Sequence, residues 1–273
     1  MAHRGASAHA PENTLEAAKL GFAIGADAWE LDVHLTRDRV PVVIHDESLV
    51  RTTDVVRRFA SDPRAASGYR VADFDLDEIQ SLDAGSWFLQ PDGGVRTAAA
   101  FGTLDLLTAD DWSRYTTGSV RVPTLVDALR LTKRLDWMVN VELKSFPCAD
   151  PGLIDAVLAA VDETDAGSRV LISSFDHADL AHLAESRPEL ATGVLTTTPL
   201  YHPEEYVRDA LGCDAYHPSY LALGGGSEAY LRAPGAENLR VGDLARLAAR
   251  GVPVLVYTVN DARSGGLATH LAE

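Results

Sequence analysis

Ala28-Trp29-Glu30-Leu31-Asp32-Val33 is the stretch from which the rest of the chain is read. Trp29, Leu31 and Val33 alternate with Glu30, Asp32 and His34, which is the period of a β-strand. One face is therefore apolar and the other carries three polar groups. Two carboxylates at i and i+2 share a face and repel; a hard divalent cation, which takes oxygen ligands, relieves that repulsion. A solvent-facing edge strand has the same pattern, so the neighbours must decide.

Downstream, Thr36-Arg37-Asp38-Arg39 reads as a turn and Val40-Pro41-Val42-Val43-Ile44-His45-Asp46 as a second strand. The link is shorter than the dozen or so residues a helical crossover needs, so the two strands read as a hairpin or as strands joined in some irregular way. Upstream, Pro11-Glu12-Asn13-Thr14-Leu15-Glu16 opens a helix. Asn13 is the expected N-cap with Glu16 as its capping-box partner, Leu15, Ala18 and Phe22 are the expected buried stripe, and Gly25 is the stop. His3-Arg4-Gly5 reads as the end of a first strand that is either short or preceded by further sequence.

Residues from about 55 to 121 lack a clear period and read as an insertion, with a short helix at Asp77–Leu82 and Trp87, Phe88 and Phe101 as exposed aromatics. From Thr124 onward helices and strands alternate. Thr124 caps a helix through Leu125, Leu129 and Thr132, followed by a strand at Trp137–Leu143 and a helix from Asp150-Pro151 to about Glu163. A strand at Arg169–Phe175, a helix from Asp176, a short strand at Gly193–Leu195 and a helix at Pro203–Leu211 come next. Ala215–His217 is strand-like, Glu237–Arg250 a helix, Val252–Asn260 a strand, and a last helix runs toward Glu273. Such alternation predicts an α/β fold with parallel strands. No G-x-G-x-x-G follows the first strand, which disfavours a dinucleotide-binding open sheet.

The 273 residues suggest one or two domains, and a single α/β barrel commonly runs to about 250. No apolar run is long enough to span a bilayer and no cleavable signal pattern opens the chain, so a cytoplasmic protein without stable membrane insertion is expected. A net charge of −16 argues against binding a nucleic-acid backbone. Cys148 and Cys213 read as small buried hydrophobes rather than a disulfide. Of 24 cationic residues only Lys19, Lys133 and Lys144 are lysines, so a lysine on a strand calls for a reason.

In a barrel the strand ends gather on one face, where such folds build their sites. The polar residues there are His3 and Arg4, Glu30 and Asp32, His45, and Glu142 and Lys144. Glu30, Asp32 and Glu142 could form a partial oxygen cage for one cation, leaving positions open for substrate oxygens. Arg4 and Lys144 suit a phosphate, the one as a planar fork and the other as a point charge. His3 and His45 suit proton transfer near neutral pH. His34 shares the Glu30/Asp32 face and reads as a supporting or surface residue, and His217 could line a pocket.

Five blocks, His3-Arg4-Gly5, Pro11-Glu12-Asn13-Thr14, Glu30-x-Asp32, Pro41-Val42-Val43-x-His45-Asp46 and Val141-Glu142-Leu143-Lys144, resemble the glycerophosphodiester phosphodiesterase family, a phospholipase-C-like phosphodiesterase barrel. Pro123-Thr124-Leu125, Ser173-Ser174-Phe175 and Tyr257-Thr258-Val259-Asn260 extend the match in order along the chain. The resemblance implies a TIM-type (β/α)8 barrel in a single domain over residues 1–273, with the insertion after the third strand capping the site. It implies hydrolysis of a small glycerophosphodiester, such as glycerophosphocholine, to sn-glycerol 3-phosphate and an alcohol, with one divalent cation, Ca²⁺ or Mg²⁺. Residue by residue, Glu30, Asp32 and Glu142 would hold the metal, His3 and His45 would be acid and base, and Arg4 and Lys144 would bind phosphate. Tyr257 would keep an aromatic substrate wall where the family often has Trp. Asp38-Arg39 replaces the family's Asp-Gly hairpin turn, which should cost stability rather than activity. The family's closing strand of the Gly-Val-Asp-Gly-Ile-Ile-Thr-Asp type does not follow the last helix. Two alternatives stay open: a lipid-acting phosphodiesterase with Trp87, Phe88 and Phe101 as a membrane-facing rim, and an inactive barrel used for binding.

Overall fold

Strand β2 spans Ala28–Leu35 and organises the first of two units, residues Met1–Val170 and Leu171–Glu273. The computed structural model describes residues 1–90, 95–145, 152–220, 222–223 and 241–258. Strand β1 (Ala2–His3) runs parallel to β2 with His3 opposite Glu30. Strand β3 (Pro41–Val43) is antiparallel to β2, pairing Leu35 with Pro41 and Val33 with Val43, so the expected hairpin forms. Strand β4 (Met138–Leu143) lies parallel to β2 and sets Glu142 beside Asp32. Since β4 pairs with the length of β2, β1 and β3 share its other edge end to end. Both faces of β2 are buried, as is usual for strands of parallel sheets, and the acidic face is therefore not a solvent face. On the apolar face Trp29 donates its indole N–H to Thr132 Oγ1 at 2.9 Å and stacks on Trp137 at 6.1 Å.

Helix α1 (Leu15–Ala23) corrects two expectations. Its N-cap is Thr14, whose hydroxyl accepts from Ala17 N at 3.2 Å; Asn13, at φ 58°, sends its amide elsewhere. The buried face is Ala17, Ala18 and Gly21, whereas Phe22 is 40% exposed and Leu15 half-buried. Small residues prevail because α1 approaches the chain after β1 closely. A Cβ on Gly5 would stand 2.5 Å from the Ala17 carbonyl carbon.

Residues 55–121 form α2 (Val55–Arg58), α3 (Leu76–Gln80), α4 (Ala98–Phe101) and α5 (Ala109–Thr116) with short 3-10 turns between them. Trp87 and Phe88 are buried, contrary to expectation; Phe101 is 37% exposed. Trp87 packs edge-on to Phe88 at 5.8 Å, and Phe88 edge-on to Tyr115 at 6.0 Å. Their core is continuous with Ala10, Ala17, Val42 and Ile44. Two of the three aromatics proposed for a membrane rim are thus interior.

Thr124 caps α6 (Leu125–Arg134) through Asp127 N at 3.0 Å, as expected. Helix α7 spans Leu153–Thr164; the expected Asp150-Pro151 opening and Cys148 lie outside the described residues. In the second unit β5 (Val170–Ser174), β6 (Ala191–Thr196) and β7 (Ala215–Pro218) pair in parallel. Helix α8 (His177–Ser186), capped by Asp176, crosses between β5 and β6. A helical stretch over Pro203–Glu205 and Tyr206–Ala210 crosses between β6 and β7. A helix over Val241–Ala249 precedes an extended run along β7, with Leu255 N donating to Tyr216 O at 2.9 Å and Tyr257 N to Pro218 O at 3.1 Å. Cys213 is buried and free. Residues 259–273, with the expected last helix, lie outside the described residues. Among the described residues no helix is long and apolar enough to cross a membrane.

Candidate active site

The register of β2 with β1 and β4 assembles the acidic centre. Glu30, Asp32 and Glu142 are all buried, and each offers a carboxylate oxygen within 4.8 Å of the others'. Burial, followed by the charges of Asp32 and Glu142, pushes the Glu30 carboxyl well above the usual range. Burial and Asp32 push Glu142 the same way. Asp32 is held far below its usual range because Lys144 and Arg4 outweigh its burial. Glu30 Oε1 is buried with no hydrogen-bond partner among the described residues. Three hard oxygen donors, two of them strained by mutual repulsion and one atom unpartnered, fit a divalent cation.

Cationic groups border this cage. Lys144 Nζ lies 2.8 Å from Asp32 Oδ1 and also donates to Glu142. Arg4 donates its backbone N–H to Glu30 Oε2 at 2.9 Å and sets Nε 3.3 Å from Asp32 Oδ2. His3 Nε2 is 3.8 Å from Glu30 Oε2, and burial, then Arg4, pushes its imidazole down to about 3. His45 follows β3, where Ile44 N donates to Asp32 O at 2.9 Å, and lies close enough to interact electrostatically with Asp32 and Glu142. His45 Nδ1–H donates to Asp46 Oδ1 at 2.6 Å, leaving Nε2 as the nitrogen able to accept a proton. The first unit thus brings together seven of the eight predicted residues. Tyr257 is in the second unit, where its hydroxyl donates to Thr196 O at 2.9 Å and its ring meets Phe175 edge-on at 5.9 Å.

His34 proves to be a support: its Nε2–H donates to the His45 carbonyl at 3.1 Å. His217 is buried on β7 with its ring against Gly193. Three residues next to the site were missed as participants. Asn13 Nδ2 donates to Asp32 Oδ2 at 2.8 Å and its Oδ1 accepts from Asp32 N at 3.3 Å, so one amide ties the Asp32 carboxylate to its own backbone N–H. Glu12 and Arg51 are the others; the available signal was the position of Glu12 inside the Pro-Glu-Asn-Thr block. A second acidic cluster, His202, Glu204 and Glu205, already has the Arg246 guanidinium on Glu204 Oε1 at 2.7 Å.

A model of the glycerophosphoryl diester phosphodiesterase family matches residues 3–271. Over 225 residues the chain is 36% identical to a glycerophosphodiester phosphodiesterase of Caldanaerobacter subterraneus subsp. tengcongensis, covering 82% of this chain and 76% of that one. It is 32% identical to a glycerophosphodiester phosphodiesterase of Bacillus altitudinis over 225 residues, with the same coverage of 82% and 76%. An Oleispira antarctica phosphodiesterase, solved in complex with the product sn-glycerol-3-phosphate, matches with a TM-score of 0.66 at 27% identity, covering 95% of this chain and 84% of that chain. The fold class is the expected TIM-type α/β barrel.

Proposed function

The chain belongs to the glycerophosphodiester phosphodiesterase family and is a phosphoric diester hydrolase of that class, and on that premise we propose that it cleaves glycerophosphodiesters to sn-glycerol 3-phosphate and an alcohol with one divalent cation and two histidines. Glu30, Asp32 and Glu142 hold the cation, Ca²⁺ or Mg²⁺. When bound, it polarises the phosphoryl oxygens and stabilises the charge that develops on them. Lys144 has three ammonium protons to divide between Asp32, Glu142 and a phosphate oxygen, and Arg4 adds a guanidinium at the other Asp32 oxygen. The matched motifs around the cage offer no Ser or Cys nucleophile, so attack comes from the substrate's own hydroxyl or from water. The glycerol 2-hydroxyl lies next to the phosphate, and intramolecular attack gains up to about 7–11 kcal/mol from proximity when well oriented. One of His3 and His45 takes that hydroxyl proton while the other protonates the departing alcohol. A cyclic phosphate results, and the roles reverse as water opens it. Tyr257 is carried as a substrate-binding residue by its motif position. The single-domain reading, with residues 55–121 as a capping insertion, belongs to the same proposal.

The observation that supports this most is the buried carboxylate cage flanked by Lys144 and Arg4. With glycerophosphocholine as substrate, EDTA should abolish turnover and added Ca²⁺ or Mg²⁺ restore it, and Glu142→Gln should not be rescued at ordinary cation concentrations. Full turnover of the chelated enzyme would sink the metal assignment. A 2-deoxy analogue should be cleaved far more slowly; an equal kcat/KM would leave water as the attacking group.

A further inference from the structure

Glu12 lies on neither a strand nor a helix, yet two arms of the site meet on its carboxylate. The side chain is 1% exposed, and three guanidiniums surround it. Arg4 Nη1 donates to Oε1 at 2.8 Å and Arg51 Nη2 to the same oxygen at 2.7 Å, while Arg96 Nε donates to Oε2 at 2.5 Å. Arg51 also spans both oxygens of Asp46, with Nε on Oδ2 at 2.6 Å and Nη2 on Oδ1 at 2.9 Å. Its guanidinium lies 5.9 Å from the Trp87 ring. Asp46 Oδ1 in turn takes the Nδ1–H of His45. From His45 the series runs Asp46, Arg51, Glu12, Arg4 and Asp32, with charge alternating in sign at every step after the imidazole.

We propose that Glu12 and Arg51, acting through Asp46, are positioning residues that fix the ring of His45 and the fork of Arg4 from one shared carboxylate. His45 has a side chain about one-third exposed, and its ring is held at Nδ1 by Asp46. Asp46 sets its tautomer, but a lone carboxylate next to solvent would itself rotate. The bidentate fork of Arg51 removes that freedom, and Arg51 is in turn held by a carboxylate that also takes Arg4 on Oε1 and Arg96 on Oε2. His34 fixes the His45 backbone independently through the carbonyl. Removing the Glu12 charge takes away the one carboxylate that Arg4, Arg51 and Arg96 share and leaves Arg51 to Asp46 and Arg4 to Asp32 alone, so both arms loosen together. Removing Asp46 loosens the His45 arm alone.

The proposal rests on His45 serving in proton transfer, and the test separates the two. Steady-state kinetics on glycerophosphocholine are measured for the cation-saturated enzyme and for His45→Ala, Asp46→Asn, Arg51→Ala, Arg51→Lys and Glu12→Gln, with melting temperature and calorimetric cation affinity alongside. Asp46→Asn and Arg51→Ala are expected to lower kcat roughly ten- to a hundredfold, as losing an orienting partner typically does. KM and cation affinity should be little changed. Glu12→Gln should lower kcat and also raise KM, since it frees Arg4. Guanidinium at a low, non-denaturing concentration should restore kcat in Arg51→Ala and leave Asp46→Asn unchanged, a readout that a merely structural role would not move. Should Arg51→Ala fail to fold, Arg51→Lys keeps the charge but cannot bridge both carboxylates, and its kcat should fall in the same way. Wild-type kcat in Asp46→Asn and in both Arg51 variants, with His45→Ala inactive, overturns the relay alone. Wild-type kcat in His45→Ala overturns the reading of His45 and the relay with it.

Discussion

His217 is 2% exposed on β7, and a Cβ on Gly193 would stand 2.6 Å from its Nε2. Burial pushes its imidazole down from 6.5 to about 4. Between those values the unfolded chain binds a proton that the folded chain refuses, so stability falls as pH falls through that window. The full effect is up to about 3 kcal/mol. Urea unfolding at pH 7 and pH 4.5 should show a smaller difference for His217→Gln than for the parent; an unchanged difference would mean that this ring is not what titrates. Glu12 acts over a lower range. Burial alone would raise its carboxyl, but Arg4, Arg51 and Arg96 outweigh that and hold it at about 2, below 4.5, so its contribution is present above pH 4.5 and lost as pH falls toward 2. Glu30 and Asp32 were legible because a two-residue period is local information. Glu12 was not, because its partners Arg4, Arg51 and Arg96 stand 8, 39 and 84 residues away.

Helix α1 shows how a tertiary partner overrides a local signal. Asn13 followed by Glu16 satisfies the capping-box pattern, yet Asp32 claims the Asn13 amide and the cap passes to Thr14. Thr14→Ala should therefore cost about 1 kcal/mol in urea unfolding. Asn13→Gly, which tolerates the φ of 58°, should spare the cap and instead reduce kcat/KM, because Asp32 loses its orienting amide. If both variants lose stability alike with activity intact, the exchange of roles is wrong. Gly5→Ala tests the close approach of α1 and should cost several kcal/mol, since the clash is with backbone rather than a movable side chain. The hairpin was readable from its short link, and Arg39 does occupy the left-handed turn position, at φ 69°. Trp87 and Phe88 were misread because residues 55–121 are short helices and turns, in which no long period separates an inner from an outer face.

For the molecule as a whole, the alternation of strands and helices sufficed to expect parallel strands, and the strand-end chemistry to expect the seven residues gathered in the first unit. The interior face of 55–121 was not legible, since its core is completed by Ala10, Ala17, Val42 and Ile44 from elsewhere in the chain. On the proposed cation site, the buried repulsion between Glu30, Asp32 and Glu142 predicts that cation binding stabilises the fold. Ca²⁺ or Mg²⁺ should raise Tm, by an amount equivalent to about 2.7 kcal/mol at a hundred times Kd, and Glu142→Gln should shrink the shift. An equal shift in the variant would place the stabilising cation elsewhere. The arginine-rich composition has a further consequence through Lys144. Lys19 and Lys133 have exposed side chains, whereas Lys144 is only 15% exposed and kept charged by Asp32 and Glu142. An amine-acylating reagent applied to the native protein should therefore mark the first two lysines and spare the third, so that the acylation ratio in a peptide map reports whether the site is intact without any substrate being turned over.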